Sequence, residues 1–101
     1  MEPRMYVLVR RDLDATYRIV QGSHAIVEYA LRGDTEKFLK WNNGTVLFLG
    51  ARNEGALISW KEKIANANKS WACWYEPDMR YQMTAIACID TGEIFKSLSL
   101  A

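Results

Sequence analysis

Four short apolar segments, separated by unequal connections, constrain the fold of this chain most. They span residues 5–9, 45–50, 71–75 and 82–89, and each has the length and composition of a buried β-strand. The first three are separated by longer segments with helical patterning, which favours parallel pairing through right-handed crossovers. The last two are joined by about six residues, too few for a crossover. These two strands should therefore run antiparallel if they are neighbours.

The connections between the strands predict helices. The spacing of apolar residues predicts one helix that ends near residue 32, a second over 35–41 and a third from 53 to about 67. A short fourth helix is expected from Thr91. The start and stop signals are Asp14 or Thr16, Asp34, Asn53 and, after the first helix, Gly33. The order β-α-(α)-β-α-β-β-(α) predicts one α/β domain over residues 1–101, with helices packed on a mixed four-stranded sheet.

Length and composition fit one globular domain. Of the 101 residues, 50% are hydrophobic and 25% are charged, and the net charge is +1. The chain as a whole therefore does not attract nucleic acid, and RNA binding would need a local basic cluster. The N-terminal apolar run is too short for a signal sequence or a membrane span. We expect a cytoplasmic protein without a membrane partner.

The cysteines and the single histidine form a poor set of metal ligands. Cys73 and Cys88 lie in predicted strands, without a CxxC pattern and without a histidine nearby. We therefore expect buried free thiols in a reducing compartment, and neither a metal nor another cofactor.

The predicted topology brings polar residues to one edge of the sheet. Ligands of open α/β sheets bind beyond the carboxyl ends of the parallel strands. Three loops leave those ends here, at 10–17, 50–53 and 75–80. Their charged and amide side chains include Arg10, Arg11, Asp12, Asn53, Glu76, Asp78 and Arg80.

His24 is placed by helical periodicity at the border of the first helix's expected core face. At about 100° per residue, that face consists of Ile19, Val20, Ser23, Val27, Ala30 and Leu31. The polar stripe beside it consists of Tyr17, Gln21, His24 and Glu28. The simpler interpretation is a half-buried His24 that hydrogen-bonds Glu28. The alternative is that this stripe forms one wall of a site.

Several motifs resemble the type-II peptidyl-tRNA hydrolase superfamily. The first strand ends in Val9, Arg11, Asp12 and Leu13, and the first helix carries Gln21, Ser23, His24 and Ala25, similar to the superfamily's Q-x-[ST/C/A]-H-A motif. Trp41–Val46 follows, and then Glu76, Pro77 and Asp78 with Gln82, Thr84 and Ala85, as in a short branch from bacteria and phages. The resemblance covers nearly the whole chain and implies the same mixed four-stranded sheet.

The resemblance implies an esterase that cleaves the bond between a peptide and the 3′ end of tRNA. The implied catalytic residues are Gln21, His24, Glu76, Asp78 and Thr84. The implied substrate-binding residues are Arg10, Arg11, Asp12, Tyr17, Arg80 and Gln82. The sequence departs from the pattern at Tyr17, where other members have lysine, at Tyr81, where they have threonine, and at Pro77, where they have aspartate. The alternative function is a catalytically silent homologue that binds an RNA end, a nucleotide or a protein.

Ester hydrolysis requires an oriented water molecule and donors for the oxyanion. We expect Asp78 or Glu76 to orient the water, and His24 to support Gln21. The expected ligands of the carbonyl or the terminal phosphate are Gln21 and Arg11 or Arg80. The competing interpretations are that residues 76–78 form only a turn and that Arg10 and Arg11 are solvated charges.

Aromatic and basic residues elsewhere allow two interpretations. Trp41 is expected to be exposed, whereas Trp60, Trp71 and Trp74 are expected in the core. Five lysines either follow tRNA phosphates or cover helix faces, namely Lys37, Lys40, Lys61, Lys63 and Lys69. A structural protein is a third option, and an exposed apolar sheet edge would then form a homodimer.

Overall fold

A computed structural model describes residues 2–101 as one sheet between two layers of helices. The strands are β1 (Arg4–Arg10), β2 (Val46–Ala51), β3 (Ala72–Glu76) and β4 (Gln82–Asp90). The helices are α1 (Ala15–Arg32), α2 (Thr35–Trp41) and α3 (Glu54–Asn66). Short 3-10 turns follow at Pro77–Met79 and Glu93–Phe95, the second in place of the helix expected from Thr91. The predicted class, sheet and element order are confirmed.

The strand order in the sheet is β2-β1-β4-β3. β1 pairs with β2 in parallel, and β4 pairs antiparallel with both β1 and β3. The short β3–β4 connection therefore forms an antiparallel pair, as its length predicts. The carboxyl ends of β1, β2 and β3 meet the beginning of β4 at one edge of the sheet.

Two separate cores cover the two faces of the sheet. α1 and α2 pack on the face that carries Met5, Val7 and Val9 of β1. α3 packs on the other face, against the side chains of Tyr6 and Leu8. Because alternate residues of a strand point to opposite faces, a strand covered on both sides must be apolar throughout, as residues 5–9 are.

A β-bulge in β4 interrupts the alternation of its side chains. Trp74 pairs with Ala85 and Tyr75 pairs with Met83, so Thr84 has no partner in β3. A bulge adds one residue to a strand and redirects its side chains. Met83 consequently faces α3, whereas both Thr84 and Ala85 face α1.

The helix boundaries follow the predicted capping residues. Asp14, Asp34 and Asn53 each accept a hydrogen bond from the backbone N–H three residues later. Asp14, not Thr16, therefore caps α1. Gly33 ends α1 in an extended conformation, and a Cβ there would lie 2.6 Å from the carbonyl oxygen of Tyr29. Glycine is required at position 33 because the Tyr29 carbonyl lies too close for a side chain, and not because the backbone is left-handed.

The predicted buried face of α1 is wrong. The buried residues are Gln21, Gly22, Ala25 and Tyr29, whereas Val27 and Leu31 are 55% and 68% exposed. The helical wheel weighs only hydrophobicity, and Gln21 is buried because both ends of its amide are hydrogen-bonded. Gly22 is buried because its backbone packs closely on Phe48 and Val7.

Two tryptophans also differ from expectation. Trp41 is buried because its indole N–H donates to the Thr45 carbonyl, at 2.9 Å, and its ring packs against Phe38. Trp71, expected in the core, is 38% exposed directly before the edge strand β3. The prediction of an exposed Trp41 is therefore wrong.

The two cysteines are free, as predicted, with Cys88 buried and Cys73 half-buried. Burial raises the pKa of the Cys73 thiol to about 11 and that of Cys88 to about 12. Both thiols are therefore protonated at neutral pH and poor nucleophiles. Among the helices of residues 2–101, none has the length and hydropathy of a membrane span.

Replacing Gly33 by alanine should destabilise the fold by about 1–3 kcal/mol, because the new Cβ meets the carbonyl and the buried ring of Tyr29. Gly55→Ala is the matched control in α3, where a Cβ meets only the Asn53 side chain, at 3.5 Å. The control should be neutral or stabilise by up to about 1 kcal/mol. Urea unfolding measures both, and similar effects at the two positions would contradict this account of Gly33.

Candidate functional site

The fully buried side chain of Gln21 connects α1 to two strands. Its amide nitrogen donates to Glu76 Oε1 at 2.9 Å, and its amide oxygen accepts from the Thr84 hydroxyl at 2.6 Å. The bulge in β4 is what points Thr84 towards the helix. Helix α1 is thus joined by side-chain hydrogen bonds to β3 and to β4.

Glu76 ends β3 and begins the acidic turn. Its second oxygen accepts the backbone N–H of Asp78 at 3.1 Å, and Pro77 starts the 3-10 turn between them. The hydrogen bond from Gln21 lowers the pKa of the Glu76 carboxyl, the Asp78 N–H adds to this effect, and burial opposes it. Glu76 is therefore a buried carboxylate with both oxygens occupied.

His24 is exposed beside this carboxylate and stacks on Trp74. The ring centroids are 4.4 Å apart and the ring planes differ by 13°. Glu28 pairs with Arg32 at 2.7 Å, so it is not the partner of His24. The interpretation of a half-buried histidine satisfied by Glu28 is therefore wrong.

Tyr17 completes the polar surface at the beginning of α1. It is half-buried, and burial followed by the nearby charges of Glu76 and Asp78 raises the pKa of its hydroxyl. The hydroxyl is therefore a hydrogen-bond donor at neutral pH. We call this group the acidic-turn site; it consists of Tyr17, Gln21, His24, Glu76, Asp78 and Thr84.

Trp74 is the residue near the site that sequence reasoning missed. Its indole N–H lies near Glu76 and favours the charged carboxylate, although it makes no hydrogen bond within residues 2–101. Strand alternation was the available signal, because it places Trp74 and Glu76 on the same face of β3.

Three of the predicted substrate-binding residues form a separate cluster towards α3. The guanidinium of buried Arg10 donates to both oxygens of Asp12, at 2.9 and 2.8 Å, and to the Gln82 amide oxygen at 2.8 Å. The hydrogen bond between Arg10 and Asp12 raises the pKa of the arginine and lowers that of the carboxyl. Glu54 of α3 accepts the backbone N–H of Met83 at 2.8 Å. These contacts hold the beginning of β4 in place.

The two remaining predicted arginines lie in different places. Arg11 donates to the Leu100 carbonyl beside β2, the strand at the far side of the sheet from β3. Arg80 is exposed in the loop that follows the acidic turn. Arg80 and Tyr81 both have left-handed backbones, with φ of 55° and 59°. Such non-glycine conformations cost about 1–3 kcal/mol each and cluster at functional sites.

The lysines do not gather at the acidic-turn site. Lys40 pairs with Glu36, Lys69 pairs with Asp90, and Lys63 lies 4.6 Å from the Trp60 ring centroid. Lys37 lies on α2 and Lys61 on α3. Within residues 2–101, no three acidic, cysteine or histidine side chains are arranged to hold a metal ion.

Comparison with known proteins adds information on the fold only. The sequence matches no family model and no curated protein. The structure is similar to that of the protein of unknown function Atu0240 from Agrobacterium tumefaciens strain C58. The TM-score is 0.70, with 8% sequence identity over 100% of this chain and 98% of the other. At this identity, the similarity establishes a shared fold and no shared activity.

Glu76→Gln should destabilise the protein at neutral pH by about 1–3 kcal/mol, because an amide nitrogen replaces one of two buried acceptor oxygens. A carboxyl whose folded pKa lies below its ordinary value of 4.5 stabilises the fold above that pH. This contribution is lost as the pH falls through the folded pKa. The stability difference between wild type and variant should therefore shrink as the pH falls below the ordinary value of 4.5.

Urea unfolding at several pH values measures this difference. Glu62→Gln, at an exposed position of α3, is the control and should keep the wild-type pH profile. A Glu76→Gln penalty that is the same at every pH would show that the charge of Glu76 does not stabilise the fold.

Proposed function

We propose that this protein is an esterase that cleaves the bond between a peptide and the 3′ end of tRNA. The observation that carries the proposal is an exposed acid, Asp78, on a turn held by the buried Gln21–Glu76 hydrogen bond. The motif resemblance to type-II peptidyl-tRNA hydrolases supports the same function. Cleavage of this ester requires an acid–base group beside a surface that receives the tRNA end.

Burial separates the residues that position the site from those that can contact a substrate. Gln21 and Thr84 have no exposed surface, and Glu76 is 7% exposed. These three are positioning residues, and the expected contact of Gln21 with the substrate carbonyl is not part of the proposal. The groups available to a substrate are those of Tyr17, His24, Asp78 and Arg80.

The available groups account for each step of ester hydrolysis. Asp78 accepts a proton from a water molecule as the water oxygen attacks the ester carbon. The protonated Tyr17 hydroxyl donates to the carbonyl oxygen as negative charge develops on it. The bond to the ribose oxygen then breaks, and Asp78 returns the proton to that oxygen. The products are a free peptide acid and a tRNA with a free terminal hydroxyl.

Two further groups have the chemistry to bind the tRNA end. The exposed face of the His24–Trp74 stack can receive a nucleotide base. The exposed guanidinium of Arg80 can pair with a phosphate. Both neighbour the acidic turn.

A silent binding module is the second candidate function. The observation that favours it is that Arg10 and Arg11 donate hydrogen bonds within the chain, because this removes two of the three arginines predicted to bind the substrate. Such a protein would bind the tRNA end through the same surface without cleaving the ester.

Asp78→Asn should reduce the hydrolysis of diacetyl-lysyl-tRNA by about 10²- to 10⁴-fold, because the amide cannot accept the proton of the water. Stability should change little, because the backbone N–H of Asp78, and not the Asp78 side chain, donates the hydrogen bond to Glu76. Release of the acylated amino acid from the tRNA measures the rate. Glu62→Gln is the control for loss of one surface carboxylate and should retain the wild-type rate.

Wild-type hydrolysis no faster than in buffer would contradict the esterase proposal. Titration of the same tRNA with the inactive protein would then test the binding function. That function predicts saturable binding that weakens in Arg80→Ala.

A further inference from the structure

A cavity of about 470 Å³ lies beside the carboxyl end of β2. Its walls come from the end of that strand, the beginning of α3 and residues 97–99 near the C-terminus. No residue of the acidic-turn site lines it, because β2 and β3 stand at opposite ends of the strand order. Its volume falls within the range of about 300–1,000 Å³ that is usual for small-molecule sites.

The cavity is lined by two arginines and by no acidic side chain. Both Arg11 and Arg52 are exposed, and within residues 2–101 neither pairs with a carboxylate. The Arg11 guanidinium donates to the Leu100 carbonyl at 3.1 Å, which leaves its other N–H groups available. Two guanidinium charges without a neutralising partner, in a chain with a net charge of only +1, favour an anionic ligand.

The position of the Arg11 side chain depends on the glycine at position 50. A Cβ on Gly50 would lie 2.8 Å from Cζ of Arg11, so a larger residue there would displace the guanidinium. The hydrogen bond to Leu100 holds the same group from its other side. A cation that is already held in place loses less conformational freedom when it binds an anion.

The polar groups of the cavity favour phosphate over carboxylate. The two guanidinium groups come from different connections, Arg11 after β1 and Arg52 after β2. Ser97 and Ser99 also line the cavity, and their hydroxyls are exposed donors. A phosphate group presents three terminal oxygens and can accept from both arginines and from a hydroxyl at once, whereas a carboxylate presents two.

Trp60 gives the cavity an apolar wall. Its half-buried ring packs against Phe95, with 5.7 Å between the ring centroids, and Ala56 and Leu98 line the cavity with it. An inorganic ion would leave this wall in contact with water. A ligand that carries an apolar body beyond its phosphate would cover the wall and gain the corresponding burial of apolar surface.

We propose that this cavity binds a small phosphate monoester with an apolar or aromatic body. The phosphate lies between Arg11 and Arg52 and accepts from a serine hydroxyl, and the body lies against Trp60. The site is distinct from the acidic-turn site, and the proposal does not depend on the esterase function.

Phenyl phosphate is the simplest probe of this chemistry, and the indole N–H resonance of Trp60 reports its binding to the full chain. This resonance is assigned by its loss in Trp60→Phe. Phenyl phosphate should shift it saturably, with a Kd below about 1 mM. Benzoate, which has a planar anion, and phenol, which has none at neutral pH, should each bind at least about tenfold more weakly.

Arg52→Gln should raise the Kd for phenyl phosphate at least about tenfold, because one charge-assisted pair is lost. The fold should be retained, since the Arg52 side chain makes no hydrogen bond or ion pair within residues 2–101. Arg32→Gln is the matched control, because Arg32 is an exposed arginine at the end of α1, and it should bind as the wild type does.

The absence of a saturable shift of Trp60 up to about 10 mM phenyl phosphate would overturn the proposal. Equal affinity for benzoate or phenol would also overturn it, since the phosphate would then contribute nothing. A wild-type Kd in Arg52→Gln would remove the assigned arginine. A shift of the Trp74 indole in place of Trp60 would locate the ligand at the acidic-turn site and so reject this cavity.

Discussion

The buried amide of Gln21 is the contact on which the rest of the acidic-turn site depends. Its nitrogen needs an acceptor and its oxygen needs a donor, and Glu76 and Thr84 supply them from two strands. A buried amide left unpaired costs about 1–3 kcal/mol, so helix and strands are held in one relative position. The bulge in β4 directs Thr84 to the amide. The carboxylate of Glu76, fixed in the same way, holds the backbone of the acidic turn at Asp78.

Two polar clusters at this edge of the sheet support the β3–β4 hairpin from opposite faces. One is the acidic-turn site, and the other is the cluster around Arg10. On the α3 face, Arg10 binds Gln82, the first residue of β4, which pairs with Glu76, the last residue of β3. On the α1 face, Gln21 binds Glu76 itself. The strained backbone of Arg80 lies in the loop between these anchored residues. Arg10, Gln21, Glu76 and Thr84 are accordingly buried and structural, whereas Asp78 is exposed.

Much of the fold was predictable because the relevant signals are local. Connection lengths distinguish the parallel β1–β2 pair from the antiparallel β3–β4 pair, and Asp14, Asp34 and Asn53 mark the helix starts within one turn. They did not predict that β4 lies between β1 and β3, so that β2 and β3 are not neighbours. The buried face of α1 was not predictable from its own residues, because Gln21 is buried by partners 55 and 63 positions away. The predicted topology likewise placed the polar residues at the correct edge of the sheet. It did not predict that Arg10 and Glu76 lie on opposite faces of the sheet at that edge.

A double-mutant cycle between Gln21 and Thr84 tests this account most directly. The variants are Gln21→Met, Thr84→Val and the combination, and urea unfolding measures the free energy of unfolding of each. Each single change should cost about 1–3 kcal/mol, because it leaves a buried polar group unpaired. The combination should cost less than the sum of the two by about 1 kcal/mol or more. Costs that add within a few tenths of a kcal/mol would contradict the account, since the two side chains would then contribute independently.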